Sequence, residues 1–129
     1  MPNRPNRRLV LASLAAISLA GRVSASGAQS SDGQWRLLQV RQAGCPLCAA
    51  WDRQVAPGYG QTPSGRRAPL LPVDIDGPWP DGLVLAARPR VTPSFVLLHQ
   101  NIEIARMEGF SSPAAFHAEL ADMLRRGAG

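Results

Sequence analysis

The chain has 129 residues, room for one domain, and carries fourteen arginines, no lysine, nine acidic residues and two cysteines. Its formal charge of +5 is unevenly placed: Arg4, Arg7, Arg8 and Arg22 precede residue 26 and no acid does, so the remainder holds ten arginines against nine acids. That near-neutral remainder removes the main support for nucleic-acid binding, which needs a clustered basic surface.

The N-terminal stretch "MPNRPNRRLVLASLAAISLAGRVSAS" places arginines before an apolar run from Leu9 to Ala20 and ends in the small-residue site Val23-Ser24-Ala25. This is the three-part layout of a secretory signal peptide. A run of about a dozen apolar residues falls short of the roughly 20 that a membrane span requires. Arg7-Arg8 followed by Leu9-Val10-Leu11 also fits a twin-arginine export signal, but the usual downstream lysine is missing, which favours general secretion. Residues 1–25 are therefore expected to be a cleavable export signal and 26–129 the domain, delivered to an oxidising compartment.

Ser26 to Gly33 is a small, polar lead-in. "WRLLQV", Trp35–Val40, reads as a largely buried strand. Gly44 ends it, and Pro46 suits the first turn of a helix, where its missing N–H is no loss. Cys48, Trp51 and Val55 follow at helical spacing until Pro57. Pro57–Pro69 is dense in turn formers and reads as a loop. "LLPVDI", Leu70–Ile75, is a second strand, with Pro72 arguing for an edge position. Asp81 is expected to cap a short helix from Gly82 to Arg88. "SFVLLH", Ser94–His99, is a third strand and "IEIARM", Ile102–Met107, a fourth, joined by a turn at Gln100-Asn101. Ser112-Pro113 opens a last helix whose Phe116, Leu120, Met123 and Leu124 form an apolar stripe. Trp51 and Trp79 read as core or rim aromatics, and Asp52, Glu103 and Glu108 as solvated charges. The order β-α-β-α-β-β-α argues for a layered α/β domain.

The only cysteines form a C-x-x-C pair, Cys45 and Cys48, at the first strand-to-helix junction. With "VTPSFVLLHQNIEIARMEGF" and the amphipathic helix after it, the stretch from Trp35 to Arg126 resembles the thioredoxin superfamily. More narrowly, "CPLCAAWDRQVAPGYGQTPSGRRAPLLPVDI" is similar to periplasmic SoxS-type thioredoxin-like proteins of bacterial sulfur-oxidation systems. The resemblance implies a thioredoxin-like fold, a central mixed four-stranded sheet flanked by helices. It also implies a periplasmic thiol–disulfide oxidoreductase with a redox-active Cys45–Cys48 disulfide. Pro93 would be a cis-proline facing the dithiol, and the backbone of Thr92 would receive an extended segment of a protein disulfide substrate. Pro46 and Leu47 complete the implied substrate contacts. No cofactor is implied and there is no second dithiol, so a membrane thiol reductant is expected to recycle the protein. A monomer without stable membrane insertion is expected.

The residues make their own case for that chemistry. A free thiol is mostly protonated at neutral pH, but a helix N-terminus offers unpaired N–H groups and a favourable dipole to the thiolate. Cys45 is so placed and is assigned as nucleophile, with Cys48 one turn on as the resolving thiol. A purely structural staple would close too small a ring to constrain the unfolded chain much. A zinc site needs two further ligands, for which only His99 and His117 are available. Two departures from the superfamily concern proton and electron flow. Its buried aspartate, six residues before the first cysteine, is Gln39 here, and the lysine partner is Pro72, so the proton of Cys48 must leave by water, the substrate or another group. Pro46-Leu47 between the cysteines lacks the histidine of strong thiol oxidases, which favours a reductant. Pro46 is also shared with glutaredoxins, which leaves glutathione use open. A metal-binding protein on the same scaffold is the remaining alternative.

Overall fold

The computed structural model describes residues 34–129. The export signal and polar lead-in expected for residues 1–33 lie outside them. Four strands form one sheet: β1 (Trp35–Arg41), β2 (Leu70–Asp74), β3 (Ser94–His99) and β4 (Ile102–Glu108), in the order β2-β1-β3-β4. β1 runs parallel to β2 and antiparallel to β3, and β3 is antiparallel to β4, so the sheet is mixed as expected. Pro72 sits in the edge strand β2, where a missing donor is tolerated. Gln100 and Asn101 both take positive φ, 51° and 65°, the handedness of a two-residue hairpin matched to the twist of β3 and β4.

The helices gather on one face. They are α1 (Pro46–Gln54), α2 (Ala56–Tyr59), α3 (Pro63–Arg67) and α4 (Pro113–Ala128). Trp35, Leu37, Phe95, Leu97 and Met107 of the sheet pack there against Trp51, Val55, Tyr59 and the α4 stripe of Phe116, Leu120, Met123 and Leu124. At about 1.5–3 kcal/mol for each fully buried large apolar side chain, the stripe alone holds α4 in place. Ser112 caps α4 by accepting the Ala115 N–H, and Pro113 occupies its first turn.

Two expectations are corrected. Pro57–Pro69 is not a plain loop. Val55 closes α1 by donating its N–H to the Trp51 carbonyl, and Pro57 then lies in the first turn of α2, where its missing donor does no harm. Thr62 caps α3, its Oγ1 accepting from the Gly65 N–H at 2.9 Å. No helix forms over Gly82–Arg88, so the order between β2 and β3 lacks that element. Gly82 has φ +82°, and Val84 pairs with the edge of β4, donating to Asn101 O and accepting from Glu103 N, each at 2.9 Å. Leu83 and Leu85 then point inward on either side of Val84, which is 58% exposed. With Trp79 and Ile75 they cover Leu38, Val40, Val73, Val96 and Leu98 on the second face of the sheet. An extended segment can bury alternate residues on that face while satisfying its backbone on β4; a helix there would satisfy only itself.

Candidate active site

The site lies at the C-terminal end of β1. Gly44, with φ +77°, turns the chain between the strand and α1, a conformation that costs glycine little. Cys45 is the extended residue ahead of the helix, and its Sγ accepts the Cys48 N–H at 3.1 Å. Pro46 occupies the first helical turn, and that turn contains no acidic residue to oppose an anion. Cys45 and Cys48 are joined as a disulfide with Cα atoms 5.2 Å apart. The two sulfurs differ in access. Cys45 is half-buried and flanked by exposed Pro46 and Leu47, the latter 46% exposed, whereas Cys48 is 2% exposed. Cys48 and Trp51 are the buried residues of α1; Trp51 lies 5.3 Å from Phe95 and 5.7 Å from Phe116, ring centroid to centroid. The helix carrying the dithiol is thereby seated on the core.

Thr92-Pro93 is brought to the same end of the sheet. Val40 pairs with Ser94, which sets Pro93 level with the end of β1. The Thr92–Pro93 peptide is cis, as the sequence resemblance implied. Pro93 is fully buried, and its carbonyl accepts the Gly109 N–H at 2.7 Å. Ser94 Oγ donates to Val91 O at 2.6 Å, tying the turn from the other side. The histidines are not brought to the dithiol. His99 pairs with Trp35 at the opposite end of β1, stacks on its ring at 4.4 Å and contacts Gln34. His117 lies on α4 against Phe116. Among the described residues no three His, Cys, Asp or Glu side chains converge to hold a metal ion.

An open depression of about 320 Å³ borders the disulfide, with Arg41, Gln42, Cys45, Cys48 and Asp52 on its walls. Asp52, expected as a solvated charge, instead receives both guanidinium nitrogens of Arg41, at 2.8 and 2.5 Å. Those hydrogen bonds hold its carboxyl below the usual carboxylate range against a smaller opposing effect of burial. Glu103 is likewise not a free surface charge. Its side chain is 8% exposed and accepts from Arg106 and from the Ala86 N–H. Neither pair follows a local sequence spacing that betrays both partners, since Arg41 and Asp52 are eleven residues apart and Ala86 and Glu103 seventeen. Tyr59, buried between α1 and α3, donates to Ala68 O, and burial pushes its phenol above the ordinary tyrosine range.

A closed disulfide of this kind takes up two electrons and two protons to become a dithiol, one sulfur within reach of another protein and the other within reach only of the first. Several solved structures share the arrangement's fold. The periplasmic thioredoxin SoxS of Paracoccus pantotrophus, in its reduced form, is 39% identical, with 71% of this chain and 97% of that chain covered and a TM-score of 0.70. A thioredoxin of Thermus thermophilus is 21% identical over 78% of this chain and 82% of its own, with a TM-score of 0.54. Trxlp of Edwardsiella tarda is 22% identical over 70% and 84%, with a TM-score of 0.53. No protein-family model and no curated protein sequence matches the chain.

Proposed function

The chain belongs to the thioredoxin superfamily as a SoxS-like member, a thiol–disulfide oxidoreductase, and on that premise we propose that it works in the periplasm, reducing disulfides or thiol adducts of partner proteins. The observation that carries the reading is the unequal access of the two sulfurs: Cys45 open at a helix start, Cys48 2% exposed behind it. In the reduced protein the Cys45 thiolate attacks one sulfur of the partner's disulfide. A mixed disulfide forms, and the partner's other sulfur leaves as a thiolate and is protonated. Cys48 then loses its proton to solvent and attacks Cys45 Sγ. The mixed disulfide breaks, the second partner sulfur leaves as a thiolate, and the protein is left with the Cys45–Cys48 disulfide.

The backbone around Thr92 and Pro93 holds the partner segment as an added strand, with exposed Pro46 and Leu47 as the rim it touches. The absence of a histidine or any charge between the cysteines supports the reducing direction. A membrane thiol donor returns the disulfide to the dithiol, the protein acts as a monomer, and its partners belong to sulfur oxidation. Residues 1–25 direct export and are removed, leaving 26–129 as the working domain.

Cys48→Ser stops the cycle at the mixed disulfide. Expressed with its own export signal, that variant should accumulate disulfide-linked partners through Cys45 in periplasmic extracts, and the doubly substituted protein should not. Trapping by Cys45→Ser in place of Cys48→Ser would reverse the two roles. N-terminal sequencing of the same material should begin at or near Ser26; an intact Met1 on membrane-bound protein would defeat the periplasmic assignment.

A further inference from the structure

Gln39 is the buried polar residue of β1, 1% exposed, and its Nε2 has no hydrogen-bond partner. It alternates with Trp35, Leu37 and Arg41, so it faces the side of the sheet that α1 covers. Its level under α1 is set by its neighbours. Its partner across the sheet is Phe95, on which Trp51 packs, and Arg41, two residues on, reaches Asp52. Gln39 thus sits beneath the turns of α1 that carry Cys48 and Trp51. The Trp51 Nε1 is likewise buried and unpaired. Both orphans are donors, so the missing partner is an acceptor. Buried donors left unpaired are rare, and each calls for an explanation. A closed disulfide is a poor acceptor. Opening it turns the neighbouring, buried Cys48 into a thiol whose anion accepts strongly.

We propose that Gln39 is a positioning residue for the resolving step, its buried carboxamide N–H reserved for the Cys48 sulfur of the opened dithiol. The inference rests on the reading of Cys48 as the resolving thiol. The amide donates a hydrogen bond and takes no proton; the proton of Cys48 passes to solvent as the thiolate forms. Few charged or titratable groups face this position. Arg41 and Asp52 are paired with each other, Tyr59 donates to Ala68 O, and His117 stands against Phe116 on α4. The neighbours from β2 and β3, Pro72 and Phe95, and the α4 residues Leu120 and Met123 carry no charge. Resolution should therefore follow the ionisation of Cys48 alone.

The test uses the reduced protein and 5,5′-dithiobis(2-nitrobenzoate) in stopped flow. Attack by Cys45 releases one coloured thiolate, and resolution by Cys48 releases the second. Gln39→Leu removes the donor at similar volume. The first phase should be unchanged, while the second should slow about tenfold at neutral pH, its midpoint moving up by about one pH unit, the scale of a hydrogen bond to a charged group. A second phase with the wild-type rate and pH profile would overturn the role of Gln39 and leave the dithiol reading intact. A wild-type protein that releases only one coloured thiolate would overturn the resolving role of Cys48 itself. Should the leucine variant fail to fold, the side-chain NH₂ resonances of Gln39 in the wild-type protein decide the matter. They should shift downfield on reduction and titrate with Cys48; resonances that stay at their oxidised positions throughout would refute the inference.

Discussion

Truncating Glu103 to alanine should loosen the segment that covers the second face of the sheet and carries the chain to Pro93. In the folded protein the Glu103 carboxylate accepts the Ala86 N–H at 2.5 Å and two nitrogens of Arg106, one of them at 3.0 Å. Glu103→Ala removes all three bonds and leaves Arg106 with Ala87 O and, at 3.9 Å, the more exposed Glu108. Hydrogen bonds to charged groups contribute about 1.5–3 kcal/mol each, but these three share one carboxylate and Arg106 keeps part of its shell, so we expect a net loss of about 2 kcal/mol. In a domain of this size that corresponds to a fall in Tm of roughly 8–16 °C. The pH dependence carries the sign. Burial raises the carboxyl's pKa, but the Arg106 and Ala86 hydrogen bonds and the guanidinium charge together outweigh it, leaving it below the ordinary value. A depressed folded-state pKa contributes stability that is present above the unfolded pKa and is lost as pH falls through the folded one. Thermal unfolding of both proteins across pH should therefore show a gap that is widest at neutral pH and narrows as the Glu103 carboxyl is protonated. An equal Tm at pH 7, or a gap that widens in acid, would refute the argument.

Phe116→Ala should cost about 3–5 kcal/mol in urea unfolding, because the ring is buried among Trp51, Tyr59 and Phe95 and its removal leaves a cavity under α1. Gly65→Ala should cost about 1–3 kcal/mol, since the new methyl would stand 1.8 Å from the Tyr59 carbonyl oxygen, whereas Gly60→Ala, with open space at that position, should be near neutral by the same measurement. Asp52→Asn should change stability by less than about 1 kcal/mol, its side chain being 37% exposed, and the difference should shrink further in 1 M salt.

The elements that form from their own residues were legible in the sequence. Ser112 and Pro113 start α4, its stripe is buried residue for residue, β3 has the bounds that its apolar run set, and Cys45-Pro46 opens a helix, each signal lying within a turn or two of the structure it specifies. The same kind of signal at Thr62-Pro63 was there to be read, but the surrounding turn formers masked it. Other features depend on partners far along the chain. Whether Val84 joins a helix or the edge of β4 depends on Ile102 being free to pair, and no pattern within Gly82–Arg88 records that. Arg41 finds Asp52, and Glu103 finds Ala86, only after strand and helix have been laid side by side. The cysteine pair, read together with the element order and the resemblance from Trp35 to Arg126, pointed to the chemistry, because helix-terminus position and spacing are local properties. That Gln39 is buried with its side-chain Nε2 unpaired was decided by packing, which no pattern within β1 records.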